Sequence, residues 1–130
     1  MSPTLLDANA LIALVVEEHE FHERMTRWAA EAGPIAVCPI VEGALVRFLV
    51  RLGESADTCV AVLAALHRHP RVEFWEDSVS YLDADLAGVI GHRQVTDAYL
   101  ASLAAARGAA LATFDRALVA SRPSCAVLIP

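Results

Sequence analysis

An α/β fold built on a mostly parallel sheet is predicted by three features of this 130-residue chain. Short apolar runs alternate with segments of helical length, the order that strand–helix–strand units require. One run, Ile35-Ala36-Val37-Cys38, is apolar at every position, as in a strand covered on both faces. The first run ends in an acid, Asp7, and a longer apolar segment starts at the next residue. That places an aspartate at the carboxyl end of a strand, the edge where open α/β sheets bind ligands.

Taken in order, residues 3–7 read as the first strand and 8–17 as the first helix. The polar stretch Glu17–Glu23 turns into a second helix reaching Ala32, and Gly33-Pro34 breaks the chain before the second strand, 35–38. Pro39 suits a first helical position, and a helix follows from Ile40 to Leu52, closed by Gly53. Ser55 caps a helix to His67, and Pro70 ends that region. Val72–Trp75 reads as the third strand, followed by a polar turn at Glu76-Asp77-Ser78. A helix is expected over Val79–Ile90, closed by Gly91, with Asp83 and Asp85 on its solvent side. Thr96 reads as the N-cap of a further helix to Arg107, with Gly108 past its end. Ala109–Thr113 is the fourth strand, Asp115 caps a helical turn through Ala120, and Ala126–Ile129 is the last strand. The expectation is one domain over residues 1–130, with about five strands flanked by helices.

Composition narrows the function. Hydrophobic residues make up 56% of the chain, too many for a disordered segment and enough for a self-association surface. No uninterrupted apolar run approaches the ~18 residues that span a bilayer. The N-terminus has no early Lys or Arg, and Asp7 interrupts its apolar run, so no secretory signal is expected. Cys38, Cys59 and Cys125 show no zinc or CxxC spacing and read as reduced thiols of a cytoplasmic protein. Sixteen acids against ten bases, all arginine, leave a net charge of −6. That balance argues against non-specific wrapping of nucleic acid, so any RNA contact must come from local arginines.

Three further carboxylates join Asp7 at the same sheet edge: Glu42 just past the second strand, Asp97 at the start of a helix, and Asp115 after the fourth strand. Each has an ordinary role open to it, Asp7 and Asp115 as N-caps and Glu42 and Asp97 as first-turn acids. Together they demand more. Two carboxylates about 5 Å apart repel by about 3 kcal/mol at an effective dielectric of ~20, so a bare cluster must protonate or bind cations. Carboxylates without His or Cys favour hard cations, Mg²⁺ or Mn²⁺ rather than Zn²⁺. A cation so held orients water and stabilises charge on a phosphate, which points to phosphodiester hydrolysis.

Leu6-Asp7-Ala8-Asn9, Glu42 with Arg47, Thr96-Asp97-Ala98-Tyr99 and Thr113-Phe114-Asp115 together resemble a PIN domain. Within that family the chain is similar to the VapC-type ribonuclease toxins of bacterial toxin–antitoxin pairs. The segment Gly91–Leu100 is close to mycobacterial members. The resemblance spans essentially the whole chain and keeps the motif order. It implies a three-layer PIN-like fold and a Mg²⁺-dependent endoribonuclease with Asp7, Glu42, Asp97 and Asp115 as the catalytic, metal-binding acids. Asn9, Thr113 and Thr96 would be supporting polar groups. It further implies a homodimer, a cognate VapB-type antitoxin that blocks the site, and tRNA or ribosomal RNA as substrate, tRNA being favoured. Arg47, Arg93 and His92 are the candidates for RNA contact. The arginines are equally suited to salt bridges with the acids, and His92 to a solvated loop.

A phosphatase with an aspartyl nucleophile, or a receiver domain, also carries a strand-terminal Asp, but both use a lysine and this chain has none. The remaining alternative is a catalytically silent module whose acidic cluster docks the arginine of a partner protein.

Overall fold

The structure, a computed structural model, describes residues 2–130. Its elements in chain order are β1 (Thr4–Leu6), α1 (Ala8–Val15), α2 (His22–Glu31), β2 (Ile35–Val37), α3 (Pro39–Arg51), α4 (Ala56–Arg68) and β3 (Val72–Phe74). A single 3-10 turn (His92–Gln94) then leads into α5 (Val95–Ala106), β4 (Ala110–Thr113), α6 (Arg116–Ser121) and β5 (Ala126–Leu128).

The five strands form one sheet in the order β3-β2-β1-β4-β5, and every pairing is parallel. The strands are short and apolar because both faces are covered. Leu5, Leu6, Ala36, Val37, Leu111 and Ala112 are fully buried. At the edges burial fails: Phe74 of β3 and Val127 of β5 are 45% and 40% exposed. Helix α1 packs on α2, α3 and the central strands, while α5 lies along β1 and β4. Arg71 ties β3 to α2 by donating to the carbonyls of Ala29, Ala32 and Gly33, which the helix end leaves open.

The strand order positions the site. β1 is central, β2 and β3 are added on one side, and β4 and β5 on the other. The winding therefore reverses between β1 and β4, and the carboxyl ends of those two strands border the crevice where such sheets bind ligands. The carboxyl ends lead into Asp7 and, past Phe114, Asp115.

Two local expectations are corrected. Residues 79–90 form turns rather than a helix. Side chains there compete with helical backbone bonding. Ser80 Oγ accepts from the Leu82 amide, Asp85 Oδ1 from the Ala87 amide, and Ser102 Oγ from the Asp85 amide. Gly88 has φ +83, outside helical space. Leu82 and Ile90, whose spacing suggests an apolar stripe, are more than 90% exposed. The second correction concerns Thr96, which is not an N-cap. Helix α5 begins one residue earlier, after the 3-10 turn, and Gln94 Oε1 accepts from the Ile90 and Gly91 amides ahead of it.

Among the described residues no helix is long and apolar enough to cross a membrane. The three cysteines are free.

In hydrogen exchange the amides from Leu82 to Ile90 should exchange orders of magnitude faster than those of α5, which fills the core with Tyr99, Leu100 and Leu103. Helix-like protection over residues 79–90 would contradict this description.

Candidate active site

A small cavity of about 120 Å³ opens at the reversal point of the sheet, lined by Asp7, Ala8, Asn9, Asp97, Thr113, Phe114 and Asp115. Three carboxylates from three elements meet there, and no basic residue lines the cavity.

Local structure aims each of them. Asp7 follows β1 in extended backbone and caps α1, its Oδ1 accepting from the Ala10 amide at 2.8 Å. Asp115 caps α6, its Oδ1 accepting from the amides of Ala117 (2.9 Å) and Leu118 (3.2 Å). Both are thus N-caps and cavity walls at once, and the helix N-termini partly offset their charge. Thr113, fully buried at the end of β4, links the two. Its hydroxyl accepts from the Asp115 amide at 3.0 Å, and its proximity to Asp7 pulls that carboxyl down. Asp97 lies in the first turn of α5, which runs antiparallel to the strand it precedes and so starts at the carboxyl edge.

The electrostatics follow from this crowding. Asp7 is 6% exposed. Burial pushes its carboxyl above the usual range and the Asp115 charge adds to this, while the bonds from Thr113 and Ala10 pull it back. Burial, then the charges of Asp7 and Asp115, push Asp97 up to about 6. These are acids short of positive charge, and a hard cation among them would remove the deficit.

The fourth expected acid is elsewhere. Glu42 occupies the first turn of α3, but it is not among the residues lining the cavity, and its carboxylate pairs with His67 Nε2 from α4. His67 also stacks on Phe74, with ring centroids 5.2 Å apart. Among the described residues, no group of three or more His, Cys, Asp or Glu side chains is arranged so as to hold a metal ion. Of the supporting groups, Asn9 and Thr113 line the cavity, and Thr96 is exposed with no hydrogen bond among the described residues. Arg47, His92 and Arg93 are all exposed, and none forms an ion pair with an acid among the described residues. Arg47 folds back one turn toward Gly43, where a Cβ would lie 3.5 Å from the guanidinium Nη1, an ordinary contact.

His67 and Arg122 escaped the sequence reading. His67 lies on a different helix from Glu42, and no local spacing joins them. Arg122 follows α6, only 11% exposed, donating to the Ala87 carbonyl at 3.3 Å and lying 3.8 Å from Asp85. That clasp exists only because residues 79–90 are not helical.

A doubly wound sheet with acids gathered at its reversal point is the architecture of the PIN-domain nucleases, and comparison with known proteins places the chain among them. The PIN domain profile matches residues 4–121, and the chain belongs to the PIN-domain family, within its VapC-type ribonucleases. It is 51% identical to Ribonuclease VapC29 of Mycobacterium tuberculosis over 128 residues, 97% of this chain and 96% of that one. Among solved structures, Mycobacterium tuberculosis VapC20, a sarcin-ricin loop cleaving toxin, superposes with a TM-score of 0.66 at 17% identity, over 91% of this chain and 94% of that one. VapBC2 from Rickettsia felis, bound to a DNA fragment from its promoter, gives 0.63 at 19%, over 98% of each chain. These two likenesses carry the fold.

The raised acid at Asp97 sets a pH dependence. Its carboxyl titrates near 6 in the folded chain and near 3.8 unfolded, so the folded state binds the extra proton between those values. Its contribution to stability is full below pH 3.8 and is lost as pH rises through 6. In metal-free protein, Asp97→Asn should therefore be more stable than the parent at pH 7.5, by about 1 kcal/mol after solvent screening. The difference should vanish toward pH 4. Asp7→Asn, which retains a capping oxygen, should also melt no lower than the parent in EDTA. Urea denaturation across pH tests the first, and a melting curve well below the parent's would refute the second.

Proposed function

We propose that this protein is a Mg²⁺-dependent endoribonuclease toxin that hydrolyses RNA phosphodiester bonds and is held inactive by a cognate VapB-type antitoxin. The observation that carries the reading is the convergence of Asp7, Asp97 and Asp115 on one cavity without a counter-charge, Asp7 pushed up by burial and by Asp115, and Asp97 by burial and by both the others. Such a donor set fits a hard divalent cation. Asp7, Asp97 and Asp115 would hold Mg²⁺, with Mn²⁺ as a substitute, and Glu42 serves as the fourth acid once its pair with His67 opens. A cation held there would lower the pKa of a water and stabilise negative charge on the phosphate.

The chain's own residues do the rest. Thr113 and Asn9 supply polar groups to the cavity wall beside Asp7. Arg47, Arg93 and His92, exposed and free of ion pairs with acids among the described residues, offer the local positive charge that an acidic protein needs to receive an anionic backbone. tRNA is the favoured substrate and ribosomal RNA the alternative. VapC20, which shares the fold, is a sarcin-ricin loop cleaving toxin. For the antitoxin, an apolar groove of about 540 Å³ between α1, α2 and α4, lined by Leu14, Val15, Val62 and Leu66, suits an amphipathic helix. Exposed Leu82 and Ile90 supply apolar surface for a homodimer. Action on cellular RNA assigns the protein to the cytoplasm.

Purified protein incubated with total bacterial RNA should give discrete cuts with Mg²⁺ or Mn²⁺ and none in EDTA, read by mapping 5′ ends. Asp97→Asn should lower the rate by more than ~100-fold, beyond what losing an outer hydrogen bond to a metal ligand costs. Cleavage by that variant at the parent rate would overturn the acid assignment. No cleavage by folded, antitoxin-free parent protein would favour a module that binds a partner arginine.

A further inference from the structure

Beside the acidic cavity lies a second, larger cleft of about 390 Å³, and the two share Asp97 and Asp115 as a common wall. It runs between the turn segment at Ala87 and helix α6. Ala87, Ala98 and Leu118 give it apolar surface, and Gln94, Ser121 and Arg122 give it polar groups. Its volume falls in the ~300–1,000 Å³ range of small-ligand pockets. We propose that this cleft seats one nucleobase of the RNA, the base flanking the phosphate presented to Asp7, Asp97 and Asp115. The assignment rests on the nuclease reading above and adds to it the place where the sequence around the cut is read.

Three observations converge on a base. The first is polarity. Gln94 commits its side-chain oxygen to the amides of Ile90 and Gly91, which leaves its NH₂ as the uncommitted end. Ser121 Oγ donates to the Leu118 carbonyl, so its lone pairs remain. Amide donors and a hydroxyl acceptor above apolar side chains match the edge and face of a heterocycle. The second is charge. Asp97 and Asp115 at the shared wall repel phosphate, and Arg122 at the opposite side repels the guanidinium of a partner protein. A neutral ring tolerates both. The third is construction. Arg122 donates to the Ala87 carbonyl and lies 3.8 Å from Asp85, so it clasps the turn segment to the end of α6 and keeps the cleft open without a ligand. Ser102 Oγ, accepting from the Asp85 amide and donating to the Ala98 carbonyl, fixes the same segment to α5.

The test fills the cleft from its exposed rim. Ser121→Phe and, independently, Ala117→Phe are compared with the parent, both sites being exposed so that the fold is retained. Melting temperature and Mn²⁺ affinity, read by calorimetry, should not move. KM for an RNA spanning the strongest mapped cut should rise about 10-fold or more, the scale of losing one stacked base, and base preference beside the cut should relax. In the second arm, the parent and Ser121→Phe bind a short labelled RNA of that sequence in Ca²⁺, with or without an abasic residue at the flanking position. The abasic RNA should bind the parent about 10-fold more weakly and the filled variant no more weakly than the intact RNA. Filled variants that cut the same sites with unchanged KM and preference overturn the cleft assignment while leaving the nuclease intact. Filled variants that cut normally but escape inhibition by the antitoxin reassign the cleft to a protein ligand. A folded, Mn²⁺-loaded parent that cuts nothing fails at the nuclease reading itself, and the cleft assignment falls with it.

Discussion

Everything at the business end of this protein depends on three carboxylates being pressed together where the sheet reverses. Like charges do not assemble by preference, so the rest of the fold must hold them. The parallel pairing of β1 with β4 does so, because Leu5 opposite Leu111 and Leu6 opposite Ala112 are completely buried and cannot shift without exposing the core. Asp7 follows the first of these strands and Asp115 lies two residues past the second. Helix α5, packed along both, delivers Asp97 to the same edge. The repulsion is carried by hydrophobic burial elsewhere, and partly offset by the helix N-termini that Asp7 and Asp115 cap.

On the proposed reading, this arrangement divides the two demands of an RNA-cutting site between neighbouring spaces. The acidic cavity is small and lacks positive charge, the right environment for a hard cation and a wrong one for a bare phosphate. The adjoining cleft is larger, carries Arg122 and apolar surface, and is suited to a neutral group. One short helix, α6, borders both through Asp115 at its start and Arg122 at its end.

How much of this was legible in the sequence depends on whether the signal was local. An apolar run ending in Asp with a helix immediately behind it is visible without a structure, and Asp7 and Asp115 both have that form. Gly53 and Gly108 close their helices with positive φ where the sequence places helix ends. The stretch 79–90 deceived because Val79, Leu82, Leu86 and Ile90 recur at helical spacing. The side chains of Ser80, Asp85 and Ser102 then bind the backbone amides that a helix needs, the last from another element altogether. Thr96 misled for a related reason: Gln94 already serves the backbone ahead of α5. Glu42 could be placed at the correct helix start but not on its partner, since the bond to His67 crosses from α3 to α4. The strand order, and with it the reversal point, also lies beyond local pattern, because it is decided by which buried strands pair.

The placement of the first strand at the centre of the sheet has a consequence for synthesis. β1 is made well before one of its two neighbours, since Leu5 must wait for Leu111 of β4. Until then Asp7 has neither Asp97 nor Asp115 beside it. Domains of this size fold as units, and long-range parallel pairing is slow to form. A nascent or truncated chain therefore carries the acids without the constellation. For a ribonuclease of this family, the topology itself withholds the assembled acids until α5 and β4 have been made and packed against β1.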